Sequence, residues 1–225
     1  MNILEVVIRL LLFLSGGIKM EILKDKDFKE LMLKYEFAKK RLVTELEILL
    51  EEYEFNNGYN PVEHTKVRVK KFDSIVKKLD RKGYEVSVLN IQRHVHDVVG
   101  LRIVCSFLSD VYDIINIIKS SKQFIIKDEV DYIKSPKDSG YTSYHINLLV
   151  PIHLEGKTEY IEAEVQIRTV AMDCWASLDH KLRYKLVNTT DELEKEMLDC
   201  ADKMVEIDKM MQHLCEEVKN LKERM

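Results

Sequence analysis

The chain of 225 residues lacks paired cysteines, an excess of charge of one sign and any apolar run long enough to span a bilayer. Cys105, Cys174, Cys200 and Cys215 form no C-x-x-C pair and no zinc-ligand spacing. That pattern excludes a disulfide scaffold or zinc finger and points to free thiols in a reducing cytoplasm. The formal net charge of -4 excludes bulk electrostatic attraction to nucleic acid, so any anion site must be a local patch. The apolar stretch Val6–Leu14 is too short to cross a membrane and carries Arg9. A secretory leader is disfavoured as well, because a basic n-region is missing and no disulfide pattern follows. Gly16-Gly-Ile-Lys-Met20 is what a ribosome-binding sequence and a start codon encode when read in frame. Residues 1–19 are therefore expected to be a non-native or disordered extension, with translation starting at Met20. No internal repeat or low-complexity segment is present. What remains, 46% hydrophobic and 33% charged residues, describes a globular protein.

Periodicity supplies the elements. Phe28, Leu31, Tyr35, Ala38, Leu42, Leu46, Leu49 and Tyr53 recur in steps of three and four, predicting a long amphipathic helix that ends at Asn56-Asn-Gly58. A short extended piece at Val67–Val69 precedes a helix predicted over Asp73–Lys82 and stopped by Gly83. The β-branched run Val99–Phe107 reads as a buried strand, followed by a helix over Asp110–Lys119. Phe124–Ile133, Tyr144–Ile152 and Tyr160–Arg168 read as three further strands, the last two joined at Glu155-Gly-Lys157. Strands in the middle with helices at both ends imply an α+β fold with a mixed or antiparallel sheet.

The C-terminal segment carries its own pattern. Leu193, Met197, Cys200, Met204, Ile207, Met211, Leu214, Val218 and Leu221 alternate four- and three-residue steps, the seam of a coiled coil. Residues 191–225 are expected to be an oligomerisation helix, the alternative being a helix docked on its own domain.

The chemistry concentrates in three polar stretches. Alternation from Tyr160 sends Glu162, Glu164, Gln166 and Arg168 to one strand face, which a solvated antiparallel sheet would also show. The neighbouring loop argues for more, since Gly140 allows close backbone approach and Tyr141 stands in polar surroundings with Lys134, Lys137 and His145. Cations beside a ring suit phosphate beside a base. Asp97 lies at the entry to a strand, either as an ordinary turn residue or as the second of two carboxylates suited to Mg²⁺. Arg102 offers a guanidinium that can stack on a purine or neutralise phosphate. Within the basic run that starts at Lys66, Arg68 and Lys70 point the same way with Ser74 near a helix start, a plausible triphosphate cradle.

Taken together, Arg68–Ser74, Asp97-Val-Val-Gly-Leu-Arg102, Lys137-Asp-Ser-Gly-Tyr-Thr-Ser-Tyr-His145, Glu164-Val-Gln-Ile-Arg-Thr169 and Trp175-Ala-Ser-Leu-Asp-His180 resemble the synthetase domain of the RelA/SpoT homologue superfamily. The resemblance extends over roughly residues 25–190, with residues 20–190 expected to form one synthetase domain, and the chain as a whole resembles the single-domain small alarmone synthetases. It implies a nucleotidyltransferase-like sheet flanked by helices. The implied activity is GTP pyrophosphokinase: the 3′-hydroxyl of GDP or GTP takes the β,γ-pyrophosphate of ATP, giving (p)ppGpp and AMP. By the same resemblance Asp97 and Glu164 would hold Mg²⁺, and Glu164 would help deprotonate the hydroxyl. Arg68 and Arg102 would sandwich adenine, and Lys70 and Ser74 would hold ATP phosphates. Tyr141 would stack on guanine, with Lys137, His145 and Gln166 binding the acceptor. A cytoplasmic homotetramer is implied, and single-stranded RNA is a conceivable regulator.

Three positions depart from the family pattern. Ser139 and Thr142 stand where Asn and Arg are common around the Gly-Tyr pair, so one phosphate donor is missing, and Asp179 replaces a Glu before His180. Two other function classes stay open on the residues alone. A nucleotidyltransferase would need a close Asp-x-Asp pair near a Gly-Ser turn, which is absent. A catalytically weak regulator binding guanine nucleotides or RNA would need only the basic run and assembly.

Overall fold

The computed structural model describes residue 22, residues 25–185 and residues 190–224. The expectations for residues 1–19 and for a start at Met20 lie outside the described residues. In chain order the elements are α1 (Lys26–Asn57), β1 (Val62–Val69), α2 (Phe72–Arg81), α3 (Val88–His94), β2 (Val99–Cys105) and α4 (Leu108–Ser120). They continue with β3 (Ile125–Asp131), β4 (Tyr144–Leu154), β5 (Lys157–Thr169), α5 (Val170–Lys185) and α6 (Asp191–Glu223).

The five strands form one sheet in the order β1-β2-β5-β4-β3. Only the β2–β5 pair is parallel, and the other three pairings are antiparallel, so the expected mixed sheet is present. One face is the core. Leu101 and Ile103 of β2, Ile146, Leu148 and Val150 of β4, and Ala163, Val165 and Ile167 of β5 are all buried there against α1 and α4. Strict alternation leaves the opposite face polar, and that face carries the site.

Helix α1 begins where the Asp25 carboxylate accepts from Asp27 N at 2.8 Å and ends at Gly58, whose φ of 75° provides the left-handed cap. Its buried stripe runs Phe28, Leu31, Tyr35, Ala38, Leu42, Leu46 and Leu50. The last turn differs from expectation, because from Ala38 the stripe advances by fours and so reaches Leu50 instead of Leu49. Tyr53 turns aside to donate a hydrogen bond to Asp113 at 2.9 Å. Strand β1 is longer than the predicted Val67–Val69, since it pairs along all of β2 from Val62↔Cys105 to Val69↔Val99. Helix α3 has no counterpart in the sequence reading. It is seven residues long, too short to show a period, and is set by the Ser87 hydroxyl accepting from Asn90 N at 3.2 Å.

Helix α6 divides into two parts. Met197, Ala201 and, further along, Asp208 are buried on the chain's own domain, and Met197 and Ala201 form with Trp175 of α5 a small second core. Met211, Leu214, Val218 and Leu221 are exposed. The docked-helix expectation therefore holds for the first part, while the later seam remains uncovered. Among the described residues no helix is long and apolar enough to cross a membrane.

Candidate active site

Strand register lays the site out as two rows across the polar face. One row runs Arg68–Gly100–Glu164–Asn147, and the next runs Lys66–Arg102–Gln166–His145. Gly100 is the gap in the first row: with no side chain between Arg68 and Glu164, it forms the floor of a groove also lined by Asp97, Arg102 and Gln166. Glycine within an otherwise β-branched strand is the sequence signal for such close approach, and the sequence reading passed over it.

The cationic side of the groove comes from β1, α2 and the turn before β2. Lys70 N donates to Val98 O at 2.7 Å, which extends the β1–β2 ladder and brings the Lys70 side chain onto Asp97. Lys70 Nζ donates to Asp97 Oδ2 at 2.5 Å and Lys78 Nζ to Asp97 Oδ1 at 2.8 Å. Burial opposes ionisation of Asp97, but the hydrogen bonds and charges of these two lysines outweigh it and hold the carboxyl below the ordinary carboxylate range. Beyond Lys70, Ser74, Lys77 and Arg81 of α2 border an adjoining pocket that His180 of α5 closes. The N-terminus of α2, next to Lys70, has no side-chain cap.

The aromatic side is assembled from β4, β5 and the 132–143 loop. Lys137 Nζ lies 4.5 Å from the Tyr132 ring centre and 5.0 Å from that of Tyr141, and Arg168 Cζ lies 5.0 Å from the latter. A chain of polar contacts ends on Glu164. Arg168 Nη2 donates to Tyr141 Oη at 2.5 Å, and Tyr141 Oη lies 2.8 Å from His145 Nε2. On the other side of the ring, His145 Nδ1 lies 3.4 Å from Glu164 Oε1. Gln166 Nε2 donates to Glu164 Oε2 at 2.7 Å. Burial raises the cost of charge on Glu164, yet the bonds from His145 and Gln166 outweigh it, with nearby Asp97 pulling the other way, and its pKa is lowered.

All ten residues singled out from the sequence thus lie along one groove and its two flanks. Four further residues were missed. Lys78 lies further along the basic run that starts at Lys66, where nothing in the spacing sets it apart. Gly100 sets the groove floor. Arg168 shares the polar strand face with Glu164 and Gln166 but had no role assigned to it; it is 3% exposed and belongs to the site's interior, because Tyr141 and Asp173 cover it. Asp173 of α5 joins the two flanks: its Oδ1 lies 3.0 Å from Arg102 Nη1 and 3.1 Å from Arg168 Nη1. No linear spacing announces that link, since the partners lie 71 and 5 residues away in the chain. Trp175 packs in the second core, and His180 borders the groove.

The donor set fits a hard divalent cation. Asp97 and Glu164 both favour the ionised form, and they line the same groove beside cations that suit phosphate. Two carboxylates completed by water and phosphate oxygens are the usual holding of Mg²⁺.

Residues 67–189 match the region found in RelA / SpoT proteins, and the chain belongs to that family. Its sequence is 47% identical over 175 residues to the GTP pyrophosphokinase YwaC of Bacillus subtilis (strain 168), spanning 76% of this chain and 83% of that protein. The crystal structure of the small alarmone synthetase 2 from Bacillus subtilis superposes with a TM-score of 0.76 at 43% identity, covering 85% of this chain and 100% of that one. The small alarmone synthetase 1 of the same organism, solved bound to its product pppGpp, gives a TM-score of 0.76 at 30% identity over 87% of this chain and 100% of that one.

Proposed function

We propose that this protein is a GTP pyrophosphokinase that transfers the β,γ-pyrophosphate of ATP to the 3′-hydroxyl of GDP or GTP, making (p)ppGpp and AMP. The observation that carries the reading is the single groove in which Glu164 and Asp97 lie between a cationic flank and an aromatic one. Family membership and the relative's printed activity support it.

Arg68 and Arg102, on neighbouring strands, hold adenine between two guanidinium planes, and the free Nε of Arg102 among the described residues fits a substrate partner. Lys70, Ser74 and the N-terminus of α2 receive the ATP phosphates, with Lys78 and Arg81 close behind. Tyr141 stacks on guanine, and Lys137, His145 and Gln166 orient the acceptor nucleotide. The 3′-oxygen attacks the β-phosphorus, a new O–P bond forms, and the bridge between the α- and β-phosphates breaks to release AMP. Glu164, held as a carboxylate, accepts the hydroxyl proton, and the Tyr141–His145 chain fixes its orientation. Mg²⁺ held by Asp97 and Glu164 would neutralise charge on the phosphate oxygens. Lys70 and Lys78 hold Asp97 in place beside them. Such transfer depends mostly on alignment and charge neutralisation, which these residues provide.

The uncovered seam Met211, Leu214, Val218 and Leu221 supports self-association through residues 191–225, in a homotetramer of cytoplasmic protein whose four cysteines are free thiols. The test is incubation with ATP, GDP or GTP and Mg²⁺ followed by chromatographic separation of nucleotides. AMP formed together with a new guanosine species is the expected result. Consumption of ATP without a guanosine product would overturn the reading.

A further inference from the structure

The loop that carries Tyr141 is seated on the C-terminal helix. Its turn is closed by Gly140 N donating to Lys137 O at 2.8 Å and Lys137 N donating to Tyr141 O at 3.1 Å. Gly140 takes φ of 73°, a conformation open chiefly to glycine. A second constraint is steric, since a Cβ placed on Gly140 would lie 2.3 Å from the Ala201 Cβ and 3.7 Å from Trp175 Nε1. The loop therefore touches α6 at a point where neither side has an atom to spare.

The helix is not free to retreat from that contact. Seven residues beyond Ala201, two turns along the same face, the buried Asp208 accepts from Thr169 Oγ1 at 2.7 Å, at the end of the strand that carries Glu164 and Gln166. Further on, Gln212 Oε1 accepts from Ser109 N at 3.0 Å. Trp175, wedged between α5 and α6, keeps a buried Nε1–H without a hydrogen-bond partner among the described residues, on the side facing the loop.

We infer that Ala201 is a positioning residue for the guanosine acceptor: its small side chain sets the height of the Gly140–Tyr141 turn, and so the place of the Tyr141 ring relative to Glu164. The inference rests on Tyr141 being the guanine platform. Helix α6 then has two duties, self-association through its later seam and seating of the acceptor loop through its earlier one.

A graded series tests this. The acceptor KM should rise in the order Ala201→Gly, Ala201→Ser, Ala201→Val, roughly ten- to a hundredfold for the last, with the KM for ATP unchanged throughout. A merely structural role would instead lower the melting temperature and reduce both apparent affinities together. Trp175 is the single tryptophan of the chain, so its emission reports on the seat directly. GDP should change that emission, adenosine nucleotide alone should not, and the GDP midpoint should move to higher concentration in Ala201→Val. An Ala201→Val protein with an unchanged acceptor KM overturns the inference. Should that variant melt early, the unaltered protein decides: silent Trp175 emission at GDP concentrations where calorimetry records binding also overturns it. Tyr141→Leu separates the two layers. If it raises the acceptor KM while Ala201→Val does not, only the seat is lost, and if it leaves the acceptor KM unchanged, the platform reading falls with it.

Discussion

The two flanks of the groove are built by different means. The cationic flank comes from one stretch of chain, residues 66–102, in which β1 and β2 are neighbours and Lys70 and Lys78 close on Asp97. Its order is electrostatic and mostly local. The aromatic flank draws Tyr141, His145, Gln166 and Arg168 from a loop and two strands, and it leans on α5 and α6 through Asp173, Trp175 and Ala201. Its order is a hydrogen-bonded chain resting on packing. A flank that is held by charge tolerates small displacements, whereas one held by directed bonds and close contact does not, because packed contacts are bistable rather than continuously deformable.

Glu164 stands where the flanks meet, and its loss should have the largest effect. Glu164→Gln keeps the size and one acceptor oxygen for His145 or Gln166, but its amide nitrogen cannot accept from the other, and the proposed base is removed. Product formation should fall by about 10²- to 10⁴-fold, the usual contribution of a positioned general base, with an unchanged melting temperature. Quantifying AMP and guanosine product by chromatography checks it, and unchanged turnover would remove Glu164 from the chemistry. Asp173→Asn comes next. Its one oxygen serves Arg102 of the first flank and Arg168 of the second, so the KM values for ATP and for the acceptor should rise together, each by about tenfold for a weakened charge-assisted hydrogen bond.

The contrast also explains how much could be read from the sequence. In the cationic flank, strand alternation makes Arg68 and Lys70 point the same way, while Ser74, Asp97 and Arg102 stand out as one set with them only through the family resemblance. The sheet was legible too, since alternation in β4 and β5 marks both the core face and the polar face. The burial of Arg168 was not legible, because alternation tells which way a side chain points and not what later covers it. Asp173 and Ala201 were invisible for the same reason, as their partners are brought near only by the packing of α5 and α6. The seam of α6 was recognised, but one periodic pattern runs through a docked part and an exposed part, and periodicity does not tell where the protein's own domain stops and an uncovered face begins.

Single-flank substitutions should show smaller and one-sided effects. Tyr141→Leu should raise the acceptor KM about fivefold to a hundredfold, the range for loss of base stacking, with the KM for ATP unchanged. Arg68→Ala should do the reverse, because β1 has no share in the aromatic flank. Steady-state kinetics with one substrate saturating and the other varied distinguishes the two. A Tyr141 variant that weakens both substrates equally would mean that the flanks are coupled more tightly than Asp173 alone provides.

The smallest expected effect is a pH dependence of stability whose sign differs between the half-buried Asp97 and the buried Asp208. Asp97, on the cationic flank, is held below its ordinary value of 3.8 because its two lysines outweigh burial. Its contribution is present above pH 3.8 and is lost as pH falls through the lowered native value. Asp208, which fixes α6 behind the aromatic flank, is pushed above 3.8 by burial, and the Thr169 bond offsets this only in part. Its native state prefers the proton, so its contribution is full below pH 3.8 and is lost as pH rises through the raised value. Asp97→Asn should therefore destabilise at neutral pH, with the penalty shrinking at the acid end. Asp208→Asn keeps an acceptor for Thr169 without the charge, so it should gain on the unaltered protein as pH rises towards neutrality. Thermal melts of the three proteins from acid to neutral pH would test both signs at once, and parallel curves would mean that neither carboxylate differs between folded and unfolded chain.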